Sequence, residues 1–179
     1  MIKDFLLDKS IYFSFDQSGF TRHEKKFSSI EDACFYQKNY VVTGGTSGIG
    51  KSIVQSLSDK GANVIFTGRT LKEEGFRDQF YQLDLNSLKE TFLFSNTLGE
   101  VDGLILNAGG MPESYKEYNG YESQFVSQLL SHYILIRSLI DKRKLNKNSK
   151  VVWMSSGGMY LVKYDSRLIS NAKEKYDKV

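Results

Sequence analysis

The octapeptide TGGTSGIG, residues 43–50, decides how the chain is read. It continues YVVT (40–43), a short apolar run that reads as a buried strand. After it Ile49, Ile53 and Leu57 recur every fourth residue, as one face of a helix. Gly44, Gly48 and Gly50 stand at G-x-x-x-G-x-G spacing. A strand-to-helix turn leaves amides unpaired at the helix N-terminus, where the helix dipole favours an anion. Glycines there remove the Cβ atoms that would hold a pyrophosphate away. The loop therefore predicts a dinucleotide phosphate site formed by Gly44, Thr46, Ser47, Gly48, Ile49 and Gly50. The plainer alternative is a tight turn with no ligand.

The pattern repeats outward from this loop. Gly61 closes the helix at a position suited to left-handed backbone. NVIFT (63–67) is a second strand, and a short polar stretch, a truncated helix at most, covers 70–78. FYQLDL (80–85) is a third strand, and Ser87 with Glu90 forms a capping box that opens a helix running to residue 97. VDGLILNAGG (101–110) is a fourth strand entering glycines, a long helix spans 121–143, and KVVWMS (150–155) is a fifth strand. In the long helix Phe125, Leu129, Tyr133 and Ile136 have the spacing of a packing face. Strands alternate with helices and are continuous apolar runs, so the expected class is α/β: a doubly wound parallel sheet covered on both faces. Residues 1–38 read as an irregular, aromatic-rich N-terminal arm and 39–179 as the nucleotide-binding domain.

Composition narrows the function. At 179 residues the chain can bury a sizeable core. A net charge of +3 and a pI near 8.8 are mildly basic and do not predict a nucleic-acid partner. The densest basic run, DKRKLNKNSK (141–150), reads as a solvated helix end whose cations suit the C-terminal dipole. Cys34 is the only cysteine, which excludes an intrachain disulfide and a cysteine-based zinc site and fits a reducing, cytoplasmic setting. His23 and His132 are too few and too far apart to suggest a metal, and both read as structural. No run reaches the ~18 apolar residues of a membrane span. The N-terminus MIKDFLLDKSIYFSF is interrupted by Lys3, Asp4, Asp8 and Lys9 and lacks the apolar core of a signal peptide. Two readings of the arm stay open: packing on the domain, or peripheral contact with a membrane or partner.

Three motifs in order resemble the short-chain dehydrogenases/reductases. TGGTSGIG is similar to that family's cofactor loop, and LNAGG (106–110) resembles its Asn-Ala-Gly motif after the fourth strand. VVWMSSGG (151–158) resembles the strand that carries its active-site serine. The likeness covers residues 39–160, and SFDQSGFTRH (14–23) with SSGGM (155–159) look most like the retinol-dehydrogenase-like member 12 group. The resemblance implies a Rossmann fold in which Asp84 and Leu85 lie by the adenine, Asn107, Ala108 and Gly109 line the cofactor, and Ser156, preceded by Ser155, holds a substrate oxygen. Each has a plainer reading as well: Asp84 as a helix cap, Asn107 as a strand-end tie, Ser156 as a turn serine.

The cofactor is read from the end of the second strand. An acidic residue about 20 positions past the glycines would hold a ribose 2′-hydroxyl. TGRT (67–70) has Gly68 and Arg69 there and no carboxylate. Arg69 can stack on adenine and pair with a 2′-phosphate, which favours NADP over NAD. The resemblance then implies hydride exchange between nicotinamide and a small carbonyl or alcohol substrate. In the family a tyrosine moves the proton, and a lysine four positions later lowers a tyrosine pKa that is ordinarily near 10. No Tyr-x-x-x-Lys follows Ser156: Tyr160 leads to Tyr164, Tyr164 to Leu168, and Tyr176 stands three residues before Val179. The long serine-to-tyrosine gap of the member 12 group places the expected tyrosine just past Val179, after KYDKV (175–179). Gln128 also stands where the family has an asparagine that organises a water relay. Three readings follow: an NADP-dependent oxidoreductase, a non-catalytic nucleotide-binding or interaction module, or an inactive fragment of a longer enzyme. A sheet that stops after its fifth strand is expected to leave an exposed apolar edge that invites association, including homo-oligomers.

Overall fold

Val41 and Val42 are neighbours in the chain and both are buried, at 2% and 0% exposure. Successive strand residues point to opposite faces, so both faces of this sheet are covered. A computed structural model of the protein describes residues 7, 13, 16–24, 26–27, 33–71, 74–157 and 163. They fall in two compact units, residues up to 34 with 155–157 and 163 in one, residues 35–154 in the other.

In the first unit an eight-residue helix, α1 (Gln17–Glu24), starts at Asp16, whose Oδ1 accepts the Gly19 amide (2.9 Å) and the Ser18 hydroxyl (2.7 Å). The arm was read as irregular; Gly19 inside the helix weakens its propensity, and the Asp16 cap is the signal that marks it.

The second unit holds the sheet. Its strands are β1 (Asn39–Thr43), β2 (Asn63–Gly68), β3 (Phe80–Gln82), β4 (Gly103–Leu106) and, after a small ribbon of β5 (Glu117–Tyr118) and β6 (Tyr121–Glu122), β7 (Lys150–Trp153). The five-stranded sheet is parallel throughout in the order β3-β2-β1-β4-β7. Helix α2 (Gly48–Asp59) follows β1, α3 (Leu88–Thr97) follows β3, and α4 (Ser131–Asp141) precedes β7. Val41, Leu104, Leu106, Phe94, Leu135 and Leu139 form one core. Val42, Val54, Leu57, Val64 and Phe66 form the other. At the edge, Val151, Val152 and Trp153 of β7 are 40–48% exposed, as the apolar fifth strand predicts.

Three sequence expectations need correction. The buried face of α2 is Gly50, Val54 and Leu57, while Ile49 is 65% exposed. Apolar periodicity misses this because the inward contact belongs to a glycine. FYQLDL is a strand only over Phe80–Gln82; its apolar Leu83 and Leu85 are buried beyond the strand end. The helix expected over 121–143 begins at residue 123, because Tyr121 and Glu122 pair with Glu117 and Tyr118. Asn119 (φ 56) and Gly120 (φ 81) make the two-residue turn between them.

That helix also packs on a different face. Leu129 and Tyr133 are 45% and 58% exposed, whereas Val126, Ser131, His132, Leu135 and Leu139 are buried. Residues Phe125–Leu130 form a π-helical turn, closed by the Ser131 amide on Val126 O. The extra residue rotates the inward face by about 100° relative to a straight α-helix. The basic run reaches a helix end as expected, but also that of α3. Lys142 Nζ donates to Ser95 Oγ (2.6 Å) and lies over the Phe92 ring, and Lys144 Nζ donates to Ser95 O and Asn96 O, both 2.9 Å.

His132 is the imidazole inside the fold, 1% exposed, with its ring edge-on to Trp153. Burial pushes its pKa down from 6.5 to about 4, against the opposing hydrogen bond to Gln128 O. As pH falls, the unfolded chain takes the proton near 6.5 and the folded chain only near 4. The fold thus keeps this stability above pH 6.5 and loses it between pH 6.5 and about 4. The full loss is roughly 3 kcal/mol. The thermal midpoint should fall between pH 7.5 and 4.5, and His132→Gln should flatten most of that slope. A parent midpoint that stays level across the window would show that the ring protonates in place.

Candidate functional site

Five parallel strands end on one edge of the sheet, and the strand order reverses between β1 and β4. At such a switch point the loops leaving the two strands diverge and open a crevice. One loop is residues 44–47, leading into α2; the other is residues 107–110 after β4.

The three glycines of the first loop do different things. Gly44 has φ +70°, and a Cβ on it would lie 2.8 Å from Ala108 Cα. Its absence lets the two loops touch backbone to backbone. A Cβ on Gly50 would lie 2.1 Å from Gly44 O and 2.5 Å from Asn107 Nδ2, so this glycine lets α2 start tight against both loops. Gly48, at φ +52°, would meet nothing within 4 Å. Of the three, only Gly48 borders open space where a ligand phosphate could approach. Around them Gly45 N donates to Thr67 O (3.0 Å), and Thr46 packs its methyl into the room left by Gly68.

The helix that starts here is not closed by its own side chain. Ser47 is extended and makes no side-chain cap hydrogen bond. At α3, by contrast, Ser87 accepts the Glu90 amide at 3.2 Å, as the capping box predicts. The first-turn amides of α2 are therefore the kind of donor set that binds an anion.

The second loop is held from below. Asn107 Nδ2 donates to Thr43 O and Gly44 O, both 3.2 Å. Thr43 Oγ1, fully buried, accepts the amides of Asn107 (3.0 Å) and Ala108 (3.1 Å) and lies 3.0 Å from His132 Nε2. His132 Nδ1 is 3.0 Å from Gln128 O, and Gln128 Nε2 donates to Gly110 O at 2.7 Å. Asn107 thus acts in this unit as a strand-end tie. Thr43 and His132 were not read as site residues. The available signal was His132 itself, a polar residue in phase with Leu135 and Leu139 on the apolar face of α4.

The other expected residues of the second unit make local contacts. Arg69 follows β2 and is exposed, with its carbonyl accepting Gln82 Nε2 at 3.1 Å. Asp84 Oδ1 accepts the backbone and side-chain amides of Asn86 at 2.9 and 3.0 Å, which is the turn role. Leu85 is buried and its carbonyl accepts the Ser131 hydroxyl. Gly109 lies beside the Gln128 amide. Ser155 and Ser156 follow β7 in the chain, are exposed and belong to the first unit. Tyr160, Tyr164 and Tyr176 lie outside the described residues. Among the described residues no three potential metal ligands cluster, and no helix is long and apolar enough to cross a membrane.

These features agree with the comparisons. The short chain dehydrogenase family model matches residues 38–164. Human retinol dehydrogenase 13 is 33% identical over 136 residues, covering 66% of this chain and 41% of that protein. Human dehydrogenase/reductase SDR family member 12 is 27% identical over 154 residues, covering 77% of this chain and 49% of that protein. A crystal structure of an uncharacterised protein from Mycobacterium paratuberculosis superposes with TM-score 0.63 at 30% identity, over 72% of this chain and 50% of that one. The chain spans about half the length of the curated relatives it matches. The glycine loop, the Asn-Ala-Gly segment and the parallel sheet that joins them are those of the short chain dehydrogenases, and the chain belongs to that family.

Proposed function

We propose that this protein binds NADP across the β1–β4 switch point and serves an oxidoreductase that exchanges hydride between the nicotinamide and a small carbonyl or alcohol substrate. The observation that carries the reading is the start of α2: a helix with no side-chain cap, opening beside the unfilled space at Gly48. That cradle fits a pyrophosphate, which would rest on the first-turn amides near Thr46, Ser47, Gly48 and Ile49. Arg69 would take the 2′-phosphate, Asp84 and Leu85 would lie by the adenine, and Asn107, Ala108 and Gly109 would border the nicotinamide half. The bound dinucleotide would supply or accept the hydride. The chain's own part is to bind, to orient and, at Ser156, to hold the substrate oxygen.

One observation favours the second reading for residues 1–179 taken alone: no Tyr-x-x-x-Lys follows Ser156 within them. Gln128 adds to it, because its side-chain Nε2 donates to Gly110 O and its backbone carbonyl accepts from His132, which leaves less for a proton relay. Binding without efficient proton transfer is the expected behaviour of these residues by themselves.

Three outcomes test these assignments. NADPH should bind residues 1–179 about 10- to 100-fold more tightly than NADH, since a charge-assisted contact is worth about 1.5–3 kcal/mol. Arg69→Ala should shrink that gap, and equal affinities in the parent would remove the case for NADP. Gly48→Val, strained at φ +52° but meeting no neighbour, should abolish cofactor binding while circular dichroism still shows a folded chain; Gly50→Ala should also lower the thermal midpoint, with the cost of about 1–3 kcal/mol or more typical of an overfilled site. Unchanged cofactor affinity in Gly48→Val would reduce the loop to a turn. With aldehydes and ketones, NADPH oxidation by residues 1–179 should be weaker than that of a competent family enzyme by about 10²–10⁴-fold, the usual cost of a missing general acid. Rapid turnover would assign the acid to Tyr160, Tyr164 or Tyr176.

A further inference from the structure

Counting protons around Thr43 assigns a role that the cofactor motifs do not contain. A threonine hydroxyl has one proton to donate and two lone pairs to accept with. Both lone pairs at Thr43 are used by the amides of Asn107 (3.0 Å) and Ala108 (3.1 Å). The only direction left for its proton is His132 Nε2, 3.0 Å away. Nε2 must then be bare, and in a neutral ring the proton sits on Nδ1, where Gln128 O accepts it at 3.0 Å.

We propose that His132 is a positioning residue for the cofactor site: as the Nδ1–H form it takes the Thr43 proton and so locks residues 107–110 against the glycine loop. The role rests on the cofactor reading given above. The segment is held at its start by Thr43 Oγ1 and near its end by the Gln128 amide on Gly110 O (2.7 Å). His132 bonds to both holders, to the side chain of Thr43 and the backbone of Gln128. Without an acceptor at Nε2 the buried hydroxyl must turn towards another oxygen and withdraw a lone pair from one of the two amides. Either way one buried group is left unsatisfied. Asn107 carries the slack onward, because its side chain bridges Thr43 O and Gly44 O at the head of the glycine loop.

Alternative arrangements fail on the same count. A ring protonated at Nε2 would point a donor at an oxygen whose lone pairs are already taken. A doubly protonated ring would do so as well, and it would place a charge in the core. Among the described residues no acidic side chain is recorded against the ring; its described contacts are Thr43, Gln128 and the edge-on Trp153.

The test begins with the unaltered chain at neutral pH. The chain has two histidines, so His23→Gln assigns the signals. Long-range proton–nitrogen correlation spectra should show His132 protonated at Nδ1 and bare at Nε2. The opposite tautomer would overturn the proposal whether or not cofactor binds. NADPH titration then tests the role. His132→Phe should weaken binding about 5- to 10-fold, the scale of one lost hydrogen bond. His132→Gln, whose amide oxygen can accept the Thr43 proton, should recover most of that loss. Thr43→Val should weaken binding similarly, and adding His132→Phe to it should cost little more, because one network has already been broken. Full additivity, or no recovery by glutamine, would show that His132 only fills space. A parent chain with the Nδ1–H ring that binds neither NADPH nor NADH would overturn the cofactor reading and this role with it, while the hydrogen-bond assignment would stand.

Discussion

The contact on which the rest depends is the one between two backbones at the switch point. Gly44 and Ala108 approach so closely that a Cβ on the former would sit 2.8 Å from Cα of the latter. The close approach needs a glycine in left-handed conformation on one side and a small residue on the other. It also needs the polar groups around it to be satisfied, since a buried donor or acceptor left unpaired costs about 1–3 kcal/mol. Asn107 and Thr43 meet that need in both directions, the side chain of each serving the backbone of the other. Once these loops are joined, β1 and β4 must be neighbours, and α2 must start in the angle between them. Gly50 follows from the same geometry, because any side chain there would strike the Gly44 carbonyl.

The two helix starts on this unit show where stability has been given up. Ser87 closes α3 on its own backbone, the arrangement expected when nothing else is to bind. Ser47 has the same chemistry and an extended backbone, yet it makes no such bond. A side-chain cap is worth about 0.5–2 kcal/mol, so an uncapped start is a measurable concession. A bound anion would return it, since anything that binds only the folded state stabilises that state.

Most of the layering was legible in the chain, because apolar runs and glycines at their ends are strong local signals. YVVT, NVIFT and VDGLILNAGG each proved to contain a strand, in a sheet covered on both faces as expected. What was not legible came from contacts that periodicity does not carry. The inward face of α2 is set by Gly50, which has no hydrophobicity to count. The ribbon at 117–122 was legible in principle: Asn119-Gly120 is a strong two-residue hairpin signal, and the apolar run after it overrode that signal. At the site, the glycine loop and the Asn-Ala-Gly segment are neighbours in space, and which glycine faces open space could be known only from Cβ positions. Thr43 and His132 lie 89 residues apart and meet only once the sheet and α4 have formed.

The π turn explains how one helix can serve both the core and the loop above it. In a regular α-helix, residues 128 and 132 would share a face with 135 and 139. Here the ladder is widened over Phe125–Leu130, with the Ser131 amide bonded five residues back, to Val126 O. Gln128, inside this turn, accepts from His132 Nδ1 with its backbone carbonyl at 3.0 Å. The inserted residue leaves Val126 and Leu135 facing the core on either side of the widened turn. It leaves the Gln128 side chain directed to Gly110. The widened turn and the polar tie beneath the loop thus share one residue, Gln128.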